Sequence, residues 1–527
     1  MPFPSCLRRL AAALVPCLLA CGATSEAMAR TEDANLIGFV ALATTTVTDA
    51  PSGIRGNMIR GTDGNFYVVS STGGTGRGVI ARIAPDGTLS VVHAMATNEE
   101  GYSPFSGVIQ GSDGNLYGTT YLGGAEGGGV VYKVALDGTY TVLRNLGQDK
   151  TDAVLPYGGL LQAPDGYLYG TTLRGGANDR GTVFRLSTTG SEFSILHSFN
   201  GQDGENPEGA LIVGADGNLY GTTLQGGSSS RGTVFKITTS GTLTSVYSFP
   251  SLGAFNTQGQ AINATGANPR AGLLLAADGN FYGTAYQGGP AGNGTVFRMT
   301  PAGDVTVVHS FTGPSFGGAL PLSDVTQDAA GNLYGTTEFG GYLNQGTAWR
   351  ISPSGQFSLL HSFSGSLLDG YKPYASLLPF DNMLYGVSFT DTTAGIGAIF
   401  KLDQGTGGVL PVEFSVSTTA IAFGGTATLT WSSPTAASCT TGGAWIDTVG
   451  TSGTLSVTPT SVGIYNYTLT CTDGAGVLRT ASAGLQVNAP ALQPVDAGGS
   501  GGGGALSIPV LLLLGALRLR RKSQGVR

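Results

Sequence analysis

A chain of 527 residues with 87 glycines, a hydrophobic fraction of 41% and only 11% charged residues is too apolar for a disordered segment, and its glycine content fits turn-rich β-structure. Its formal net charge is −7; removing the two basic residues and one acidic residue of 1–29 and the five basic residues of 518–527 leaves 19 basic and 32 acidic residues, a net of −13. A body this acidic repels phosphate backbones, which argues against a nucleic-acid partner.

The chain opens with Arg8 and Arg9, an apolar run from Leu10 to Ala20, and then Ala27-Met28-Ala29. That order reads as a secretory signal peptide over 1–29, cut by signal peptidase after Ala29. Leu18-Leu19-Ala20-Cys21 also resembles the lipobox of bacterial lipoproteins, in which Cys21 would be acylated. Both readings export the body.

Residues 30–408 are dominated by a repeat. The tyrosine of a Tyr-Gly core recurs, with local variation, at Tyr67, Tyr117, Tyr169, Tyr220, Tyr282, Tyr334 and Tyr385, in steps of 50, 52, 51, 62, 52 and 51 residues. In the third copy four apolar runs read as strands A to D: Gly159-Leu160-Leu161, Leu168 to Thr172, Thr182 to Leu186 and Phe193 to Phe199. Asp-Gly pairs between A and B suit tight hairpins, and no copy carries a helical apolar stripe. Four antiparallel strands per unit of roughly 40–50 residues is the plan of a propeller blade. The expected fold is therefore all-β, a seven-bladed β-propeller. The seventh copy lacks an evident strand D, and Leu36 to Ala43 has no blade of its own. An open ring would leave unpaired edges, so Leu36–Ala43 is expected to close the last blade.

This chain order puts the AB and CD turns on one side and the BC and DA connections on the other. The DA loops vary most, and the longest, Ser251 to Asn268, accounts for the step of 62. Variable loops on a rigid scaffold are where recognition usually sits, which makes Ser251, Asn268, Asp203 and Asp369 the candidate binding residues. Asp203-Gly204 and Asp369-Gly370 could serve a calcium site or simply a turn. His93, His197, His309 and His361 occupy one place in strand D, where other copies have Arg144 and Tyr247, so a packing role is expected. No cofactor or metal pattern and no catalytic motif is legible. Two carboxylates, or a histidine with an acid, at the channel mouth would favour an enzyme; a shallow face with exposed aromatics would favour a binder.

The recurring Asp-Gly-Asn-Leu-Tyr-Gly-Thr-Thr, Gly-Gly and Gly-Thr-Val-Phe elements resemble the GloVer tandem repeat of bacterial choice-of-anchor surface proteins over about residues 55–402. The resemblance implies an exported, anchored propeller without an established reaction. Copy one, with Val68-Val69 after Tyr67, and copy seven, with Asp381-Asn382-Met383, depart from it most. A weaker similarity runs to streptogramin-lyase-like propellers, whose catalytic histidine and glutamate have no counterpart in this sequence.

From 409 to 489 the composition turns to serine and threonine, and Trp431, Cys439 and Cys471 with Tyr465-x-Tyr467-x-Leu469-x-Cys471 resemble a bacterial immunoglobulin-like module. The tryptophan precedes the first cysteine, unlike the antibody order. Export makes a Cys439–Cys471 disulfide the expected pairing. Residues 490–504 form a glycine-rich linker. Residues 505–527 hold a short apolar stretch and then Arg518, Arg520, Arg521 and Lys522, shorter than the roughly 20 residues of a spanning helix. That tail resembles a GlyGly-CTERM sorting signal, which implies a Gram-negative host, transient inner-membrane anchoring, and processing by a rhomboid-type protease (rhombosortase) near Gly504.

The function expected is non-enzymatic binding or adhesion at the cell surface, to polysaccharide or protein. The alternative is an extracellular lyase or hydrolase of the streptogramin-lyase-like type.

Overall fold

The computed structural model describes residues 51–488 except 150, 314–316, 342, 364–369, 390–397, 405–412, 419, 434–435, 446–447 and 473–477. The signal segment with Cys21 and Ala29, the strand expected at Leu36–Ala43, Asp369, and the tail with Gly504 lie outside the described residues. Among those described, every regular element is a β-strand, and two units separate at Leu410 and Pro411.

The fourth repeat shows why its letters recur. Asp216 accepts the backbone N–H of Asn218 at 3.2 Å, the Asn218 side-chain amide at 2.7 Å and the Tyr220 hydroxyl at 3.0 Å. One carboxylate thus fixes the turn and satisfies a tyrosine whose ring enters the core. Burial and then Asp216 push the Tyr220 hydroxyl up to about 12. Thr222 donates to the carbonyl of Ala271 in the next sheet at 2.7 Å, and Thr223 bonds Thr233 across its own sheet at 2.9 Å. Gly221 lies opposite Phe235, where an added Cβ would meet the ring at 2.6 Å. Copy one departs here in a compensated way, because Val68 replaces the glycine and lies opposite Ala81 instead of an aromatic.

Each repeat builds one antiparallel sheet in the order A-B-C-D, as in Ile212–Val213, Leu219–Thr223, Thr233–Ile237 and Leu243–Ser248. Seven such sheets are described, the last with three strands, Leu378–Phe380, Met383–Ser388 and Ala398–Asp403. Neighbouring sheets share apolar clusters, for example Tyr169 and Phe199 of the third with Leu219 and Phe235 of the fourth. The last meets the first in the same way: Ala375, Val387 and Ile399 pack with Phe66, Val68 and Val79, and Phe66 stacks on Tyr385 at 4.5 Å. The sheets therefore close into a β-propeller.

The innermost strand differs from the single run expected. In the third sheet it is split into Ala153–Pro156 and Leu161–Gln162, both paired with Leu168–Gly175. The break comes from a left-handed residue placed before a proline: Ser103, Leu155, Asn206, Asn268, Leu320 and Lys372 all have φ between 47° and 60°. This costly conformation is held by the preceding sheet. Asn206 donates its N–H to Arg180 at 3.0 Å and Asn268 to Arg231 at 2.8 Å. The ring of Pro269 lies where a Cβ on Gly232 would sit, 2.7 Å away, and Gly232 has φ +95°. The pattern clasps sheet to sheet six times; the first sheet uses Gly53-Ile54 instead.

The second unit holds a three-stranded sheet, Glu413–Val416, Ala427–Ser432 and Ser452–Val457, and a five-stranded one. Trp431 and Trp445 are buried with ring centroids 5.0 Å apart. Cys439 and Cys471 are bonded, directly opposite each other on neighbouring strands of the five-stranded sheet. An antibody-type disulfide would instead join the two sheets. Replacing both cysteines with alanine is expected to cost this unit about 3.7 kcal/mol by the chain-entropy relation for a loop of about 33 residues, read by urea denaturation.

Candidate functional site

The clasp determines what faces the axis. The residue after each proline is turned inward, while the proline and the small residue that follows are buried between sheets. Arg55, Phe105, Tyr157, Glu208, Arg270, Leu322 and Tyr374, one from each sheet, therefore form a ring of seven side chains. Together with Tyr286 and Glu338 they line a cup of about 260 Å3. The cup sits at the upstream end of the inner strands, on the side of the BC and DA loops.

Its two walls differ. On one, Phe105 packs against Tyr121 and Tyr157 with ring centroids 5.0 and 5.5 Å away. The Arg55 guanidinium lies 5.5 Å from the ring centre of Phe105 and 5.4 Å from those of Tyr374 and Phe389, within cation–π range. On the other wall, Arg270 donates Nε to Glu208 at 2.6 Å and a terminal nitrogen at 3.4 Å. Tyr286 donates its hydroxyl to Glu338 at 2.8 Å, and Lys372 Nζ donates to the other Glu338 oxygen at 3.1 Å. Burial works against the Arg270 charge, but the hydrogen bond and charge of Glu208 outweigh it and raise its pKa. The Tyr157 hydroxyl is pushed up by burial and by the charge of Glu208, and that of Tyr286 by burial and its bond to Glu338. Both phenols stay protonated as donors at neutral pH.

Two residues further along the inner strands, polar groups of different sheets bond to one another. Asn57 donates to Asp324 at 2.7 Å, the Gly272 N–H donates to the other Asp324 oxygen at 2.6 Å, and Asn57 accepts the Ser376 N–H at 2.9 Å. Burial pushes the Asp324 carboxyl up against the opposing effect of these donors. The cup has a polar floor that ties the first, fifth, sixth and seventh sheets together.

Of the loop residues singled out from the sequence, the three that are described, Ser251, Asn268 and Asp203, do not line this cup. Asn268 is a clasp residue whose side chain donates to Leu224 at 2.9 Å. Asp203 accepts from His197 Nε2 at 2.8 Å and from the Asn200 N–H at 2.9 Å. Ser251 is exposed. The signal that finds the cup is the variable residue after proline in successive repeats, as in Ser-Pro-Phe, Leu-Pro-Tyr, Asn-Pro-Glu and Asn-Pro-Arg. Among the described residues no group of three His, Cys, Asp or Glu side chains could hold a metal.

The described histidines serve the sheets. His93 stacks on Tyr140 at 4.4 Å, and His309 lies flat on Phe357 at 3.9 Å with no partner for Nε2. Burial pulls the His309 pKa down to about 4. Between that value and the ordinary 6.5 the unfolded chain binds the proton that the fold refuses, so this contribution is complete above pH 6.5 and is lost as pH falls through 4. His309→Phe should remove roughly 2 kcal/mol of the stability loss between pH 7 and pH 5, measured as the difference between urea curves of the two proteins.

A family model described as Gloeobacter/Verrucomicrobia repeat matches residues 54–266 and 250–400. No protein of curated function matches. Among solved structures, the extracellular domain of a protein assigned as a hybrid two-component system, from Bacteroides thetaiotaomicron, is 11% identical with a TM-score of 0.45, covering 84% of this chain and 56% of that one. An assigned 6-phosphogluconolactonase from Bacteroides uniformis is 17% identical with a TM-score of 0.37, covering 58% and 83%. The chain thus spans little more than half of the first of these. Among the described residues no helix is long and apolar enough to cross a membrane.

Proposed function

The chain belongs to the Gloeobacter/Verrucomicrobia repeat family, and from the chemistry of its cup we propose that it is an exported, non-catalytic saccharide-binding propeller. The observation that carries this reading is that all four carboxylate oxygens of Glu208 and Glu338 already accept from Arg270, Tyr286 or Lys372. Carboxylates held this way are fixed acceptors for hydroxyl groups, whereas a hydrolase needs one acid and one base or nucleophile addressed to the scissile bond. The opposite wall of Phe105, Tyr157 and Tyr374 offers flat apolar faces for the C–H side of a sugar ring. A small pocket with aromatic lining and a few convergent polar groups is the usual form of a ligand site. Export is supported by the apolar segment and Ala-x-Ala site of residues 10–29, and surface sorting by the glycine-basic tail of 498–522.

The presence of two carboxylates at the mouth is what an enzyme would also show, so the test runs both assays. A glycan array probed with the full chain should give binding that Tyr157→Ala removes without loss of fold. Cleavage of any bound glycan that Glu208→Gln abolishes would replace the binding reading with the hydrolase or lyase one.

A further inference from the structure

The charges around the mouth of the cup do not cancel, and the floor carboxyl of Asp324 is engaged by Asn57 and the Gly272 N–H rather than by Arg55. Glu208 is matched by Arg270 and Glu338 by Lys372, whereas Arg55 has no carboxylate partner among the described residues. Its Nε is buried without a hydrogen-bond partner. Three aromatic rings surround its guanidinium, and they hold a cation in place without neutralising it. This surplus positive charge stands in a chain whose net charge is −7. A buried, unmatched donor of this kind is costly unless an acceptor completes it.

Resting on the saccharide reading of the cup, we infer that its ligand is an acidic saccharide whose carboxylate pairs with Arg55. The fork of a guanidinium matches a carboxylate in two parallel hydrogen bonds. One surplus charge balances a monoanion; a phosphate ester, carrying about −1.5 to −2, would leave excess negative charge beside Glu208 and Glu338. The sugar ring then lies against Phe105 and Tyr157, and its hydroxyls reach the ionic wall. The cup volume of about 260 Å3 falls just below the usual range of roughly 300–1,000 Å3 for ligand pockets, which suits a chain end or a disaccharide unit rather than the middle of a long polymer.

Titration calorimetry on the full chain with a galactose trisaccharide ending in a single galacturonate, neutral galactotriose and a singly sulfated galactose oligomer tests this. The galacturonate-ended sugar should bind at least tenfold more tightly than galactotriose and weaken several-fold between 20 and 200 mM salt, while galactotriose should not respond to salt. Arg55→Gln should erase the preference and Arg55→Lys should restore part of it. Equal binding of acidic and neutral sugars, a preference that survives Arg55→Gln, or tighter binding of the sulfated sugar would overturn the inference while leaving a saccharide cup. Failure of all three probes, together with a blank glycan array, would sink the saccharide reading itself. Should Arg55→Gln fail to fold, the salt response and acid preference of the unsubstituted chain still decide.

Discussion

Replacing Gly221 with valine is expected to destabilise the propeller by 3 kcal/mol or more, because the new side chain enters space held by the Phe235 ring and Leu211. Overpacking of a filled core commonly costs about 1–3 kcal/mol, and backbone on both sides is fixed in this sheet. Phe235→Ala alone should cost about 3–5 kcal/mol through the cavity it leaves. The double variant, however, recreates the Val68 and Ala81 pair that the first sheet already uses. Its loss should fall short of the sum of the single losses by 2 kcal/mol or more, a coupling typical of residues in direct contact. Additive losses in urea denaturation would show that the two positions do not share one volume.

The second large effect concerns the ionic wall. Glu208 is 7% exposed and Arg270 29%, so Glu208→Ala leaves a mostly buried guanidinium without its partner and should cost about 3 kcal/mol. Replacing both with leucine should be nearly neutral for stability, since buried ion pairs are often matched by apolar residues of similar volume. That double variant should nevertheless lose ligand binding, which separates the role of the pair in recognition from its role in folding. As a control, breaking the Arg180–Glu205 pair, whose arginine is 42% exposed, should cost under about 1 kcal/mol.

The repeat period, the four-strand plan and the turn chemistry were legible in the sequence because each rests on local rules: Asp-Gly turns, β-branched alternation and a recurring Tyr-Gly. The splitting of the inner strand was not. It depends on Leu155 or Asn206 adopting a left-handed conformation before proline, which local preference opposes and only contact with the preceding sheet sustains. The cup was missed for the same reason. Variation drew attention to the outer loops around Ser251 and Asp203, while the informative variation was one residue deep, at the position after each proline. The ion pairs were illegible in principle, since Glu208 and Arg270 are 62 residues apart and meet only through ring geometry. The cysteine pairing was legible, although its placement within one sheet was not.

The clasp has an evolutionary consequence. Because the left-handed residue and proline fix the backbone on one side, and a small buried residue fixes it on the other, the course of the chain does not depend on the side chain between them, which answers only to its neighbours around the ring, as Glu208 does to Arg270. The axis of the propeller can be read as a word of seven letters, Arg-Phe-Tyr-Glu-Arg-Leu-Tyr, with one letter written by each repeat. Copying or exchanging a repeat transfers its letter intact. A drift of two or three letters, paired neighbours changing together, would present a different chemistry at the same mouth while every clasp between the sheets stays as it is.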